Sequence, residues 1–221
     1  MRRSEEIDLR EGLIYDAHVK RYDSSFWQGD TANLVFDSVK NRIKVGDTGL
    51  VGAATSFSQY LYGDFEFGMF FDSLSPDSND SVKHFGLRNP GDSDNRGAAY
   101  FDLGYDTTAG DSSPDARSLF AVVYSEYGTR FRYPITWDTD WAGSGRLGKF
   151  RINWEPNGYK FLINDTLEVS ISEGWDSNGA EVLINTSIRQ ALRLSNRSLD
   201  STDTSPMSFA YINIRHSRNI V

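Results

Sequence analysis

Residues 62–71 read YGDFEFGMFF, and the apolar side chains fall on every second position. Phe65, Phe67, Met69 and Phe71 lie on one side, and Asp64, Glu66 and Gly68 on the other. A period of two is the signature of a β-strand, whose successive side chains point to opposite faces; a helix would need a period near 3.6. The same alternation returns with Phe150, Ile152 and Trp154. Two such strands, each with one apolar face, bury those faces by packing sheet on sheet. Phe65, Phe67, Met69, Phe150, Ile152 and Trp154 are therefore expected in the core of a two-sheet antiparallel sandwich.

The remainder of the chain agrees with an all-β fold. Short segments with strand character occupy 13–19, 33–36, 42–45, 53–58, 84–88, 98–105, 118–125, 130–133, 149–155, 159–163, 167–171 and 208–215, separated by clusters rich in Gly, Asp, Asn, Ser and Pro. Such spacing indicates a sandwich or barrel. Two connections have explicit turn chemistry: Pro156-Asn157-Gly158 and Asn164-Asp165. The stretch 181–194 is compatible with a short helix or with irregular strands. With 221 residues and no linker or repeat, residues 13–221 read as one domain, preceded by a polar arm at 1–12. Three long polar loops, 72–81, 89–97 and 107–117, interrupt the pattern; loops of that length in a compact domain are often functional.

Composition narrows the function classes. A net charge of −8 argues against a nucleic-acid or anionic-membrane partner. No cysteine is present, which removes disulfides, thiolate metal sites and a cysteine nucleophile. No stretch approaches ~18 apolar residues, so membrane insertion by a helix is not expected. The basic start, MRRSEE, lacks the apolar segment of a secretory leader. The expected location is extracellular or on a virion surface, reached by cell lysis.

Recognisable catalytic patterns are missing. The histidines, His18, His84 and His216, have no metal-ligand spacing, and there is no G-x-S-x-G elbow, phosphate loop or dinucleotide fingerprint. Asp92-Ser93-Asp94-Asn95-Arg96-Gly97 begins like an EF-hand loop, but Arg96 occupies a ligand position and Leu103 stands where the bidentate Glu belongs. No cofactor is called for. Aromatic residues are the positive signal. Tyr127, Tyr133, Trp137 and Trp141 follow one another closely, and Trp137-Asp138-Thr139-Asp140-Trp141 mixes stacking surfaces with acceptors, a combination suited to sugar rings.

The order of features resembles the concanavalin A-like lectin/glucanase superfamily, most of all family-16 glycoside hydrolases and their non-catalytic relatives; laminin-G-like sandwiches share several of the motifs. Phe26-Trp27 precedes an edge strand. Tyr62-Gly63-Asp64-Phe65-Glu66 matches a "YGxFE" strand, and His84-Phe85-Gly86-Leu87-Arg88 stands where the family has an "FWL" strand. The run from Phe150 to Asp165, FRINWEPNGYKFLIND, is similar to "hxYxxxWxPxxIxFYxDG". The resemblance covers the chain from about residue 13 onward. It implies a concanavalin A-like jelly roll with a ligand site on its concave sheet, and it allows a structural Ca²⁺ held by scattered carboxylates and carbonyls.

One departure bears on activity. Retaining members place two glutamates around an aspartate, E-x-D-x-E or E-x-D-x-x-E, because retention needs two carboxyl groups about 5–5.5 Å apart. Here the corresponding strand reads Tyr100-Phe101-Asp102-Leu103-Gly104-Tyr105. Aligning the aspartate on Asp102 puts Tyr100 at the nucleophile position and Gly104 or Tyr105 at the acid/base position. The expected function is a non-catalytic recognition or structural module, either glycan-binding or a virion protein of the phage capsid-decoration or tail kind. Its partners would be a glycan or other virion or surface proteins, met through multimeric display. The alternative is a glycoside hydrolase or lyase with displaced catalytic residues. The resemblance places the glycan-binding candidates His84, Arg88, Tyr100 and Asp102 on the concave sheet, with Trp137 and Trp141 at its rim.

Overall fold

The computed structural model describes residues 13–16, 27–29, 34–39, 42–45, 52–60, 62–70, 81–89, 96–104, 119–125, 127–136, 146–172, 174–175, 181–182, 188–198 and 207–215, which form strands and turns with no helix among them. In chain order the strands are β1 (Leu13–Asp16), β2 (Trp27–Gly29), β3 (Leu34–Asp37), β4 (Arg42–Val45), β5 (Gly52–Tyr60), β6 (Gly63–Phe70), β7 (Ser81–Arg88), β8 (Ala99–Gly104) and β9 (Leu119–Tyr124). They continue with β10 (Arg130–Ile135), β11 (Leu147–Glu155), β12 (Gly158–Ile163), β13 (Thr166–Ser172), β14 (Gly174–Trp175), β15 (Glu181–Val182), β16 (Gln190–Ser198) and β17 (Met207–Arg215). The first sheet runs β13-β12-β11-β6-β17-β4-β3, with β1 also paired to β17. The second runs β10-β9-β8-β7-β16-β5-β2, and β14 pairs with β15.

The alternation read from the sequence sets the core. Phe65, Phe67, Met69, Phe150, Ile152 and Trp154 are all fully buried. Their register explains why: Phe67 faces Phe150 and Phe65 faces Ile152 across the β6–β11 ladder, so the apolar positions of neighbouring strands share one face. The second sheet answers with Phe85 and Leu87 from β7, Ala99 and Phe101 from β8, Leu119, Ala121 and Val123 from β9, and Leu192 and Leu194 from β16, in one continuous core. Aromatic rings meet across the sandwich mostly edge to face. Phe85 lies 5.3 Å from Phe67, 5.3 Å from Phe150 and 5.8 Å from Phe209. Phe101 lies 5.3 Å from Phe150 and 5.2 Å from Phe161. Such pairs add roughly 0.5–1.5 kcal/mol each beyond the area they bury.

Polar ties fix one sheet on the other. The Tyr159 hydroxyl on β12 donates to the Gly97 carbonyl ahead of β8 (2.9 Å), and burial pushes that hydroxyl's ionisation far up, so it stays a donor. The Asn196 side chain on β16 donates to the Val45 carbonyl on β4 (3.1 Å). Asn196 is itself buried.

Both turns with explicit chemistry close hairpins. Pro156 and Asn157 join β11 to β12. Asn164 and Asp165 join β12 to β13, both with positive φ (49° and 65°), the conformation of a tight two-residue turn that Asn and Asp tolerate. Asn164 Oδ1 also accepts from the Lys149 amide, while the Asn164 amide donates to the Lys149 carbonyl. Of the ambiguous stretch, β15 covers the start and β16 the end, while 183–187 lie outside the described residues. β2 and β14, of three and two residues, are not legible in the sequence, because segments so short show no periodicity. The expected N-terminal arm lies outside the described residues.

Two substitutions test the packing. Phe67→Ala empties a fully buried site between Phe85 and Phe209 and is expected to cost about 3–5 kcal/mol in denaturant unfolding. Leu167→Ala, on an exposed edge position of β13, should stay within about 0.5 kcal/mol. Equal losses would mean that the aromatic core is not what holds the sheets.

Candidate functional site on the second sheet

The residues of the second sheet that point away from the core form a raster set by register. One row crosses the sheet as Ser195, His84, Asp102, Phe120 and Pro134. The next row is Arg193, Gly86, Tyr100, Val122 and Arg132. Arg88 stands beyond Gly86 on β7, and Tyr124 opposite Arg130 where β9 meets β10. This face has a small apolar cluster of its own: Ala98, Tyr100 and Val122, flanked by Phe120 and Tyr124.

Asp102 is the centre of the arrangement. Its side chain has no exposed surface, a costly position for a carboxylate unless cations replace the lost water. They do. Arg130 donates to Oδ2 at 2.8 Å, and the Arg132 Nε lies 3.5 Å from the same oxygen. His84 Nε2 lies 3.2 Å from Oδ1. Burial alone would raise the Asp102 ionisation; His84, Arg132 and Arg130 outweigh it and hold the carboxyl below the usual carboxylate range. The Arg132 guanidinium also sits 3.5 Å above the Phe120 ring, a cation–π contact that fixes its plane.

Tyr100 is locked from the other side. Its ring lies 4.8 Å from the His84 ring and 6.3 Å from that of Tyr124. Burial first, then Tyr124 and the Asp102 charge, push its hydroxyl well above the ordinary tyrosine range, so it stays a neutral phenol. Gly86 lets this happen. Its φ of +152° is a glycine conformation, and a Cβ there would stand 2.6 Å from the Tyr100 Cα and 2.7 Å from the Ala99 carbonyl oxygen. Around Gly86 the surface dips into a notch lined by His84, Leu87, Arg88, Tyr100 and Arg193.

His84, Arg88, Tyr100 and Asp102, expected on one face, are thus brought together. Trp137 and Trp141 lie outside the described residues. Tyr127 is exposed in the turn before β10, and Tyr133 packs against the main core, so these two tyrosines do not gather on this face. Sequence reading missed Arg130, Arg132 and Arg193. The signal was present in the period-two run Arg130-Phe131-Arg132-Tyr133, whose aromatics face the core and whose arginines face away. As for the calcium ion that the resemblance allows, no group of three or more acidic or histidine side chains fit to hold a metal occurs among the described residues; the loop at 92–97 lies largely outside them.

No family model matches the sequence, and no curated protein does. Solved structures match over nearly the whole chain. A Bacillus licheniformis β-glucanase superposes with a TM-score of 0.61 at 14% identity, over 93% of this chain and 99% of that one. SCLam, a non-specific endo-β-1,3(4)-glucanase from family GH16, gives 0.62 at 9% identity, over 93% and 91%. An endo-acting O-glycanase of the human gut microbiota gives 0.64 at 10% identity, over 94% and 92%. The fold is the concanavalin A-like jelly roll of these family-16 structures.

The caged carboxylate has a measurable signature. Its ionisation is depressed by folding, so it stabilises the fold above the unfolded-state value, about pH 3.9, and that contribution is lost as pH falls through the lower folded value. Asp102→Asn should cost about 2 kcal/mol at neutral pH, by leaving Arg130 and Arg132 beside an uncharged amide. The deficit relative to wild type should shrink below about pH 4. A deficit independent of pH would show that the charge of Asp102 does not matter to the fold.

Proposed function

We propose that this protein is a non-catalytic recognition module that binds glycans on the outward face of its second sheet, displayed in several copies on a virion or another extracellular surface. The carrying observation is the state of Asp102. It is the only carboxylate on β8, flanked at the alternate positions by Tyr100 and Gly104. A carboxylic acid that gives a proton to a leaving group needs its ionisation raised toward the working pH; that of Asp102 is depressed by cations. A phenol used as nucleophile needs a lowered ionisation; that of Tyr100 is raised. What remains on this face suits binding: guanidinium and imidazole donors, and a surface shaped by aromatic rings.

Support for a glycan as ligand comes from the structural neighbours, whose names describe enzymes acting on β-glucans and O-glycans. At their identities the shared feature is the fold, and a fold carries many functions. A site made of a few polar side chains on a half-covered sheet gives weak affinity per copy. Multimeric display converts weak sites into avidity without new contacts, which is why a decoration or tail role accompanies the glycan reading. Trp137 and Trp141 are proposed as the rim that stacks on the sugar.

A glycan array probed with multivalent protein tests the reading. Binding to at least one glycan class is expected, weakened about tenfold by Trp137→Ala or Trp141→Ala, since a stacked aromatic contributes about 1 kcal/mol or more. Incubation of the purified chain with β-1,3- and β-1,3-1,4-glucans should release no reducing sugar above background. Turnover abolished by Asp102→Ala would instead establish a hydrolase or lyase with displaced catalytic residues.

A further inference from the structure

The two ring nitrogens of His84 have different surroundings. Nε2 lies 3.2 Å from the Asp102 Oδ1 and has no contact with solvent. The side chain keeps 21% of its surface open. Among the described residues no group is bonded to Nδ1, so Nδ1 is the nitrogen that meets the outside. The ring is gripped in this orientation: Asp102 stands at its tip, and the buried ring of Tyr100 lies 4.8 Å from its plane.

The place of the imidazole proton follows from that geometry. A carboxylate oxygen only accepts. An unprotonated Nε2 would set its lone pair against those of Oδ1 at 3.2 Å, so Nε2 carries the proton. A second ring proton has no partner to satisfy there, because Arg130 at 2.8 Å and Arg132 at 3.5 Å already meet the single charge of Asp102. Nδ1 is then a lone pair, on a face otherwise poor in acceptors. The guanidiniums of Arg88, Arg130, Arg132 and Arg193 only donate, whatever else they contact. The Asp102 side chain has no exposed surface, Ser195 is buried, and the Tyr100 hydroxyl is buried with Tyr124 as its partner. The carboxylate behind the ring also polarises it and makes Nδ1 a stronger acceptor.

We infer that Asp102 fixes His84 as the Nε2–H tautomer, and that Nδ1 accepts a hydrogen bond from a ligand hydroxyl, which makes His84 the pH-sensitive acceptor of this face. This rests on the reading of the face as a glycan site and adds what the site asks of its ligand: a hydroxyl that donates over β7. Asp102 is the positioning residue and His84 the one that touches the sugar. Protonation of Nδ1 removes the acceptor and adds a further cation to a face of donors, so the hydroxyl proton loses its partner.

The tautomer can be read without any ligand, by long-range proton–nitrogen correlation NMR of the isotope-labelled full-length chain, with the His84 signals assigned from their loss in His84→Gln. At about pH 8, where imidazoles are ordinarily neutral, Nε2 should show as the protonated nitrogen and Nδ1 as the bare one. Asp102→Asn, whose amide can turn either oxygen or nitrogen to the ring, should show both tautomers in exchange. A wild-type ring protonated on Nδ1, or the same single tautomer in Asp102→Asn, overturns the inference. Binding is measured on an array of β-glucans and O-glycans at about pH 8 and about pH 5. Asp102 keeps its charge over that interval, as do the guanidiniums of β7, β10 and β16, and the phenols of β8 and β9 keep their protons. Wild-type binding should fall about threefold to tenfold at the lower pH, the worth of one hydrogen bond, with the unfolding transition showing the chain still folded at both. His84→Gln keeps an acceptor that does not titrate, so its binding should be equal at the two. Wild-type binding that is equal or stronger at about pH 5, or a fall of the same size in His84→Gln, overturns the inference while the glycan reading stands. Failure of every glycan at both pH values overturns the glycan reading and the ligand contact of Nδ1 with it.

Discussion

Phe85 holds the sandwich at its centre. From one position on β7 it stacks on Phe101 in its own sheet and meets Phe67, Phe150 and Phe209 of the opposite sheet. Because side chains of a strand alternate, fixing Phe85 in the core also fixes what its neighbours do on the outside: His84 and Gly86 must face away. Phe101 imposes the same condition on β8, sending Tyr100 and Asp102 to the outward face beside them. The geometry of the candidate site is thus a by-product of core packing. His84, Gly86, Tyr100 and Asp102 hold their places because the residues between them are gripped by aromatic rings from the other sheet, and a loosened core would be felt at the site before it was felt at the edges.

Placed there, Asp102 organises the charged groups of the face. A buried carboxylate between strands has two stable outcomes. It can be left short of cations, so that its proton is held to higher pH and becomes available for chemistry. Or it can be surrounded by cations and serve as their anchor. The arginines of β10 impose the second outcome. The consequence runs outward: Asp102 orders Arg130 and Arg132, Arg132 lies flat on Phe120, and the face presents guanidinium planes rather than a pair of carboxyl groups. The chain shares the jelly roll of the family-16 structures, and one fold carries many functions, so what this face does is decided by its own residues.

What the sequence disclosed follows from the range of the interactions involved. Period-two patterning is local, and Phe65 to Met69 or Phe150 to Trp154 announced strand and buried face together. Turn chemistry is local too, so Asn164-Asp165 and Pro156-Asn157 marked their hairpins. The outward positions of His84, Arg88, Tyr100 and Asp102 followed from a resemblance in the order of strands. The partners of Asp102 did not, because Arg130 is 28 residues away and is delivered by the β8–β9–β10 register rather than by any spacing in the chain. Tyr133 groups with Trp137 and Trp141 by closeness in the chain; the alternation that faces Arg132 outward turns Tyr133 to the core. The role of Gly86 was equally hidden, since a glycine in a strand does not reveal which neighbour needs its space.

The account depends on Asp102 being an anchored anion rather than a proton donor, and its ionisation can be observed directly. A titration of the Asp102 carboxyl carbon by NMR, assigned by comparison with Asp102→Asn, measures it in the folded protein. The account predicts a midpoint below the ordinary aspartate value of about 3.9. A midpoint raised to about 6 or above, the range of a carboxylic acid poised for catalysis, would contradict it.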